Sequence, residues 1–226
     1  MRLDGIAPNI RMFIFDWNGT LVPDWPVSYG AIKTIFAFFG LSAPSEEVTR
    51  QEIGADYMEF YFRHGIPKPE TEDGQSAMKA KLNRIRNTYL SENWESVRLA
   101  DGAEDILRIL SDRKALTAIV SAENPEILKA RLVQFQIRSY LDHVASVAGK
   151  DGKFNALRST ALSFGLKPEN CVYVDDTNDG ILSAKRAGTR TVGILGGYNN
   201  DDFVLAARAD ITLPSLGKLK DILASS

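Results

Sequence analysis

The sequence predicts an α/β fold in which helices cover both faces of a parallel sheet and a helical insert interrupts the chain. Two observations lead to this prediction. From about residue 101 onward, short apolar runs that end at polar residues or glycine alternate with stretches of helical spacing. Residues 22–98, in contrast, show helical spacing without a convincing strand. We therefore expect a core domain formed by residues 1–21 and 99–226 and a helical domain formed by residues 22–98.

The predicted strands are apolar runs of four or five residues bounded by breaks. They cover residues 12–15, 116–120, 143–146, 171–174, 191–195 and 209–213. Three of them are followed directly by polar side chains, namely Asp16, Ser121 and the pair Asp175-Asp176. Because the carboxyl ends of parallel strands meet at one edge of a sheet, these side chains are expected to lie together.

The predicted helices are apolar stripes with members three or four residues apart. In the core domain such stripes begin at Ala103, Ile127, Ala156 and Ile181. In the insert, helices are expected over residues 27–39, 45–64 and 72–94. Ser45, followed by Glu46 and Glu47, is a suitable N-cap with acidic residues in the first turn.

Composition excludes several classes of protein. The chain has 226 residues, a net charge of −2 and no basic stripe, so nucleic-acid binding is not expected. No run approaches the ~18 apolar residues that cross a bilayer, and the N-terminus does not resemble a secretory signal. The single cysteine, Cys171, lies in an apolar run and is expected to be a buried thiol. We expect a soluble cytoplasmic protein, monomeric or homodimeric, that binds no membrane.

The residue types at the strand ends indicate phosphoryl transfer. A carboxylate, a hydroxyl, a lysine and paired acids at one edge suit a reaction that depends mainly on positioning and on neutralising phosphoryl charge. The lysine lies in the sequence between Ser121 and Asp175, where Lys150 and Lys153 are both candidates.

Four motifs, in order along nearly the whole chain, resemble those of the haloacid dehalogenase superfamily. Phe15-Asp16-Trp17-Asn18-Gly19-Thr20-Leu21 is similar to the first, Ser121 after its apolar run to the second, and Lys153 ahead of Gly165 to the third. Asp175-Asp176-Thr177 with Gly180 is similar to the fourth, in the version with two adjacent acids. The resemblance implies a Rossmann-like core with a C1 cap, in the phosphoglycolate phosphatase and β-phosphoglucomutase branch.

The resemblance also implies a role for each matching residue. Asp16 is the nucleophile that forms an aspartyl-phosphate. Mg²⁺ is the expected cofactor, held by the Asp16 side chain, the Asn18 backbone carbonyl and Asp176, with Asp175 direct or through water. The phosphate is expected to meet the backbone N–H groups of Gly19 and Thr20, the Ser121 hydroxyl and the N–H groups of Ala122 and Glu123, with Lys153 as a point charge.

Structural alternatives stay open for each of these residues. Asp16 alone is also compatible with a strand-end cap, and Asp175-Asp176 with the start of a turn. Ser121 is also a suitable N-cap for a helix that begins near Glu123. Trp17 is compatible with packing or with the rim of a substrate site, and His64 and His143 are expected to serve structure or solvent contact.

Asn18 departs from the resemblance. Hydrolytic members usually carry an aspartate here, which protonates the leaving group and then activates water; an amide does neither. Three explanations are open: a slow or leaving-group-selective phosphatase, an acid from elsewhere, or a task other than hydrolysis such as phosphate binding or phosphotransfer. The motif also resembles that of phosphonoacetaldehyde hydrolase, but that enzyme uses a cap lysine and residues 51–65 contain none.

The helical insert implies the substrate class. A C1 cap accompanies small phosphate esters because its closure excludes water, so the expected partner is a small phosphorylated metabolite. Side chains of the insert that are candidates for substrate contact are Asp24, Tyr57, Tyr61, Arg63 and His64.

Overall fold

The computed structural model describes residues 9–54, 57–147 and 152–225. Contacts within the chain divide it into two compact units. Met1–Pro23 together with Arg98–Ser226 form one, called the core unit here, and Asp24–Val97 form the other, called the helical unit. Each unit is described by itself.

A parallel six-stranded sheet forms the centre of the described part of the core unit, in the order β3-β2-β1-β4-β5-β6. The strands are β1 Met12–Phe15, β2 Leu116–Ser121, β3 His143–Ser146, β4 Cys171–Asp175, β5 Arg190–Ile194 and β6 Ile211–Leu213. Every pairing is parallel, which confirms the predicted fold class. The last strand begins two residues later than expected, because the Asp210 carboxylate accepts hydrogen bonds from the Thr191 N–H and hydroxyl before the ladder starts.

Ten α-helices are found in the described residues. The helical unit holds α1 Trp25–Phe38, α2 Glu46–Glu52, α3 Tyr57–Arg63 and α4 Glu72–Asn93. The core unit holds α5 Ala103–Asp112, α6 Pro125–Gln134, α7 Gly152–Ser163, α8 Asn178–Ala187, α9 Asp201–Ala206 and α10 Leu216–Ala224. Helix α8 illustrates the local signals: the Thr177 side chain caps its N-terminus, and Gly188, at φ +87°, ends it in the left-handed conformation.

The apolar runs form strands because both of their faces are buried. Met12 and Ile14 of β1 pack with Ala118 and Val120 of β2 and with side chains of α7, such as Leu157. Phe13 and Phe15 alternate with them and are also buried. Continuous apolar sequence, rather than an alternating pattern, is what a parallel strand between two helical layers requires.

The helical unit has its own apolar core, in which α1 packs along α4. Gly30 lies so close to Tyr89 that a Cβ at position 30 would stand 2.2 Å from its hydroxyl. The Ser45 side chain accepts a hydrogen bond from the Val48 N–H, which confirms the predicted N-cap.

The single helix expected over residues 45–64 is wrong. Helix α2 ends at Glu52, and Ile53 adopts an extended conformation with ψ 128° before α3 begins at Tyr57. Residues 55 and 56 lie outside the described part of the chain. Gly54 is the local reason, because glycine has the lowest helix propensity after proline.

None of the described helices combines the length and apolar character that crossing a bilayer would need.

Candidate active site

The three neighbouring strands β2, β1 and β4 bring the predicted site residues to one edge of the sheet. Asp16 follows β1, Ser121 ends β2 and Asp175 ends β4. The Asp16 N–H donates to the Val174 carbonyl at 2.9 Å, which continues the pairing of β1 with β4 and sets Asp16 beside Asp175. The chain order reverses at β1, and such a switch point is where open α/β sheets form a ligand crevice.

Three carboxylates form a buried cluster at this edge. Asp16, Asp175 and Asp176 each offer one oxygen atom, and these oxygens all lie within 4.8 Å of one another. Asp16 is 5% exposed and the other two are fully buried. The pKa of the Asp16 carboxyl lies well above its usual range, chiefly because burial removes water, and the like charges of Asp175 and Asp176 add to this while Lys153 opposes it. Burial, with the charge of Asp175, also raises the pKa of Asp176 to about 7.

Lys153 supplies the positive charge that this cluster needs. Its ammonium group donates to Asp175 Oδ2 at 2.6 Å and lies 3.2 Å from Asp16 Oδ1. Burial alone would lower the pKa of this ammonium, but the charges of Asp16 and Asp175 outweigh burial and raise it. Lys153 is therefore a fixed cation between the two acids. Its rival Lys150 lies outside the described residues.

Asp176 is held in one position by both of its carboxylate oxygens. The Thr20 hydroxyl donates to Oδ1 at 2.6 Å and the Tyr198 backbone N–H donates to Oδ2 at 2.6 Å. The backbone at Gly19 and Gly197 approaches this carboxylate so closely that a Cβ at either position would lie 2.2 Å from Oδ2. Glycine is required at both positions because there is no room for a side chain.

Asp175 is held equally firmly by the start of α8. Its Oδ1 accepts from the Thr177 N–H at 2.7 Å and from the Thr177 hydroxyl at 2.6 Å. A Cβ at Gly180 would lie 2.0 Å from Oδ2, so the carboxylate packs against the backbone of the first helical turn. With Lys153 on Oδ2, both oxygens of Asp175 are acceptors.

The cluster fits a divalent cation. Asp16 Oδ1 is buried and accepts no hydrogen bond from the described residues; its neighbour is the Lys153 ammonium. Three buried carboxylates with one lysine leave excess negative charge, and a hard cation with oxygen ligands relieves it. Asp16, Asp175 and Asp176 are the side chains available to hold such an ion.

The turn after β1 differs from the expectation in one respect. The Gly19 N–H, expected to bind a phosphate oxygen, donates to the Val22 carbonyl at 2.7 Å, and the Val22 N–H donates to the Trp17 carbonyl at 3.0 Å. These bonds close a tight turn in which Gly19 has φ +81°. The side chain of Thr20, rather than a Gly19 N–H, is thus the described link from this turn to the cluster.

The segment after β2 also differs from the expectation. Helix α6 begins at Pro125 and is capped by Asn124, whose side chain accepts from the N–H groups of Glu126 and Ile127. Ser121 is therefore not the N-cap, and Ala122 and Glu123 precede the helix. The Glu123 N–H donates to Ser121 Oγ at 3.1 Å instead of pointing to a ligand. The Ser121 oxygen is then an acceptor, and the proton of its hydroxyl has no acceptor among the described residues.

Trp17 packs in the core unit. It is fully buried, and its ring centroid lies 6.0 Å from that of Phe135. Of the two interpretations that the sequence left open, packing is the one that the structure supports.

The candidate contact residues of the insert all take part in contacts inside the helical unit. Asp24 accepts from the Ser28 hydroxyl, and Tyr61 is buried, which raises the pKa of its hydroxyl. The Tyr57 hydroxyl donates to Asn83. Arg63 and His64 both contact Glu52 Oε2, at 3.3 and 3.0 Å.

Comparison with known proteins places this arrangement in a family. Residues 13–194 match the family model of haloacid dehalogenase-like hydrolases. A protein named phosphoglycolate phosphatase from Vibrio parahaemolyticus is 25% identical over 226 residues, which cover 96% of this chain and 98% of that one. Phosphoglycolate phosphatase 1 from Pseudomonas aeruginosa is 24% identical over 84% of this chain and 71% of its own.

Solved structures share the fold. The structure of a predicted phosphoglycolate phosphatase from Haemophilus somnus 129pt has a TM-score of 0.77 at 20% identity and covers 96% of this chain and 99% of its own. That of CbbY from Rhodobacter sphaeroides, in complex with phosphate, has a TM-score of 0.72 at 22% identity, over 93% of this chain and 96% of its own. The family match extends from within β1 to the end of β5 and so includes Asp16, Ser121, Lys153, Asp175 and Asp176. This chain belongs to the haloacid dehalogenase-like hydrolase family.

Proposed function

We propose that this protein is a Mg²⁺-dependent phosphatase that hydrolyses a small phosphomonoester through a phosphoryl group carried on Asp16. The observation that carries the proposal is the position of Asp16 in a buried cluster with two further carboxylates and one lysine. The name phosphoglycolate phosphatase, shared by relatives that are 24–25% identical, supports the reaction class. It also makes phosphoglycolate the first natural ester to test.

The proposed metal site uses oxygen ligands only. Asp16 and Asp176 are the direct side-chain ligands, Asp175 contributes directly or through water, and the Asn18 backbone carbonyl completes the set. Mg²⁺ suits such a site because it prefers oxygen and keeps several waters. When bound, it supplies positive charge against the phosphoryl oxygens, which reduces their repulsion of an attacking carboxylate.

The residues of the chain share the work of the first step. An Asp16 oxygen attacks phosphorus and forms a P–O bond while the bond to the leaving oxygen breaks. Lys153, 3.2 Å from Asp16 Oδ1, fixes the carboxylate and adds positive charge beside the phosphoryl group. The Ser121 hydroxyl donates a hydrogen bond to a phosphoryl oxygen.

Asn18 makes this reaction slow for ordinary esters. Its amide exchanges no proton near neutral pH, and the loss of general acid–base help costs about 10² to 10⁴ in rate. The backbone carbonyl oxygen of residue 18 is the same whether the side chain is asparagine or aspartate, so the proposed metal site does not depend on an aspartate here.

The test is hydrolysis of 4-nitrophenyl phosphate with and without Mg²⁺. We expect turnover that requires Mg²⁺, and loss of that turnover in Asp16→Asn, which keeps the shape of the side chain. Asp112→Asn, in an exposed acid at the end of α5, is the matched control and should behave as wild type. Equal activity of Asp16→Asn purified in the same way would assign the turnover to a contaminant or to another nucleophile.

A second candidate function rests on Asn18. A protein that binds a phosphometabolite without hydrolysing it, or that passes the phosphoryl group to an acceptor, has no need of an acid–base residue at this position. A thermal-shift screen with phosphometabolites and Mg²⁺, run beside the activity assay, separates the candidates. Stabilisation without turnover favours binding, and phosphorylated Asp16 that an acceptor sugar discharges favours phosphotransfer.

A further inference from the structure

We propose that this site acts fastest on phosphates whose leaving group departs without a proton, which are the aryl esters among phosphomonoesters and, beyond them, acyl phosphates and phosphoanhydrides, and that ordinary alkyl phosphomonoesters are poor substrates. This inference rests on the proposed function and deepens it by naming the substrate class. It is carried by Asn18 and by the hydrogen bonds that occupy the other polar groups around Asp16.

The two further carboxylates of the cluster, the Lys153 ammonium and the Thr20 hydroxyl are committed to other partners. Both oxygens of Asp175 accept hydrogen bonds, and so do both oxygens of Asp176. The Thr20 hydroxyl donates a hydrogen bond to Asp176, and the Lys153 ammonium is held between Asp175 and Asp16. Thr20 and Lys153 would lose these contacts if either gave its proton to a leaving oxygen.

Glu123 is the described acid outside the cluster that follows Ser121 most closely. It is 5% exposed, and its Oε1 accepts from the Asn124 N–H at 2.8 Å. The Arg131 guanidinium attracts the same carboxylate. Both contacts engage the Glu123 side chain, with Oε1 as a hydrogen-bond acceptor.

The chemistry of the leaving group then decides the rate. In the first step the P–O bond to Asp16 forms as the bond from phosphorus to the leaving oxygen breaks, and the leaving oxygen keeps the electron pair. A carboxylate, whose conjugate acid has a pKa of about 4, departs without a proton. An alkoxide, nearly as basic as the conjugate base of water with its pKa of about 15.7, requires one.

The second step has a matching consequence. Water attacks the aspartyl-phosphate, its oxygen bonds to phosphorus, the bond from phosphorus to Asp16 breaks, and the water proton passes to solvent. An aspartate at position 18 would take that proton, whereas Asn18 does not. Phosphorylated Asp16 should therefore accumulate whenever a donor with a good leaving group is present.

The first experiment measures kcat/KM with Mg²⁺ for acetyl phosphate, a series of substituted phenyl phosphates, and the alkyl esters phosphoglycolate and glycerol phosphate. We expect the rate to fall steeply as the leaving group becomes more basic. In Asn18→Asp the dependence should flatten, with the ratio of acetyl phosphate to alkyl ester reduced by about 10² to 10⁴. The wild-type series needs no variant, so the inference remains testable even where Asn18→Asp does not fold.

The second experiment has a readout other than turnover. Intact-mass spectrometry after acid quenching should show one added phosphoryl group on wild type incubated with acetyl phosphate and Mg²⁺. Asp16→Asn should show none, and Asn18→Asp should show less than wild type because it hydrolyses the intermediate faster.

The outcomes separate the two proposals. If alkyl esters are hydrolysed as fast as acetyl phosphate, the inference is wrong, whereas the proposed phosphatase function is unaffected. A flat dependence that becomes steep in Glu123→Gln would assign the proton to Glu123 and also overturn it. No turnover and no phosphorylation by either wild type or Asn18→Asp would overturn the proposed function, and the inference with it.

Discussion

The hydroxyl of Thr20 donates a hydrogen bond of 2.6 Å to Oδ1 of Asp176, across 156 positions of sequence. Thr20 lies in the turn after β1 and Asp176 follows β4, so this bond joins the two segments that carry the acidic cluster. A neutral donor on a buried carboxylate stabilises its ionised form, the form that binds a metal ion. The contact therefore links the order of the turn to the properties of the cluster.

Thr20→Val should weaken Mg²⁺ binding. The substitution keeps the shape of the side chain but removes the proton that Asp176 accepts. A hydrogen bond to a charged group contributes about 1.5 to 3 kcal/mol, which corresponds to about a 10- to 100-fold loss of affinity. Calorimetric titration with Mg²⁺ measures the loss.

Thr20→Ser is the matched control because it keeps the hydroxyl, and it should bind Mg²⁺ nearly as wild type does. Equal affinity of Thr20→Val and Thr20→Ser would show that the hydrogen bond does not govern the metal site.

Lys153→Met should destabilise the metal-free protein strongly. It removes the cation between Asp16 and Asp175 and leaves buried carboxylates without an opposite charge, at a cost of about 3 to 5 kcal/mol in the free energy of unfolding. Mg²⁺ should restore part of the loss, because it supplies charge to the same carboxylates. Urea unfolding with EDTA and with Mg²⁺ measures both effects.

Lys150→Met provides the comparison for this prediction, since the sequence alone left Lys150 as the rival. Because the Lys153 ammonium contacts both Asp16 and Asp175, Lys150→Met should lower the free energy of unfolding by much less than Lys153→Met does. The reverse order, with Lys150→Met the more damaging, would transfer the assignment to Lys150.

Stabilisation by Mg²⁺ should increase with pH up to about neutrality. Burial raises the pKa of Asp176 from the ordinary 3.8 to about 7 in the metal-free protein. The folded state thus holds this proton more tightly than the unfolded state, so the contribution of this group to stability falls as the pH rises from about 4 to about 7. A metal ion must displace the proton, and its affinity rises over the same interval.

Melting temperatures with EDTA and with Mg²⁺, compared between about pH 5 and about pH 8, test this dependence. The difference between the two conditions should grow with pH in wild type and grow less in Asp176→Asn, which lacks the Asp176 proton but keeps the raised pKa of Asp16. A difference that is the same at every pH would contradict the raised pKa of Asp176.

The sheet could be predicted from the sequence because each strand is a short apolar run, and three of the six runs are followed directly by polar residues of the site. The strand predicted at residues 143–146 has the bounds that the structure shows, although three of its residues are only partly buried and Ser146 is exposed. The break between α2 and α3 was missed because the apolar positions on either side keep the helical period. Gly54 was the only local signal, and one glycine is tolerated in many helices.

The acidic cluster could be predicted because strand ends, not side-chain details, bring Asp16, Asp175 and Asp176 together. Backbone N–H directions could not be predicted in the same way. The Gly19 N–H donates to the Val22 carbonyl and the Tyr198 N–H donates to the Asp176 carboxylate. Both directions depend on the conformation of turns that contain several polar residues. Tyr198 carried no signal in its own side chain, because its contribution is a backbone group that every residue except proline has.

Gly180→Ala and Gly217→Ala should have opposite effects, although both glycines lie in the first turn of a helix, α8 and α10. Helix propensity alone favours alanine at each position by up to about 1 kcal/mol. At Gly217 the nearest atom to a new Cβ would be 3.5 Å away, so the variant should be slightly more stable than wild type.

At Gly180 the new Cβ would lie 2.0 Å from Asp175 Oδ2, and moving that buried carboxylate would cost about 1 to 3 kcal/mol. The displaced Asp175 would also lose its hydrogen bond with Lys153, so Gly180→Ala should reduce Mg²⁺ affinity while Gly217→Ala leaves it unchanged. Chemical denaturation and Mg²⁺ titration of both variants measure these effects. A Gly180→Ala variant that is more stable than wild type and binds Mg²⁺ normally would mean that Asp175 does not pack against this turn.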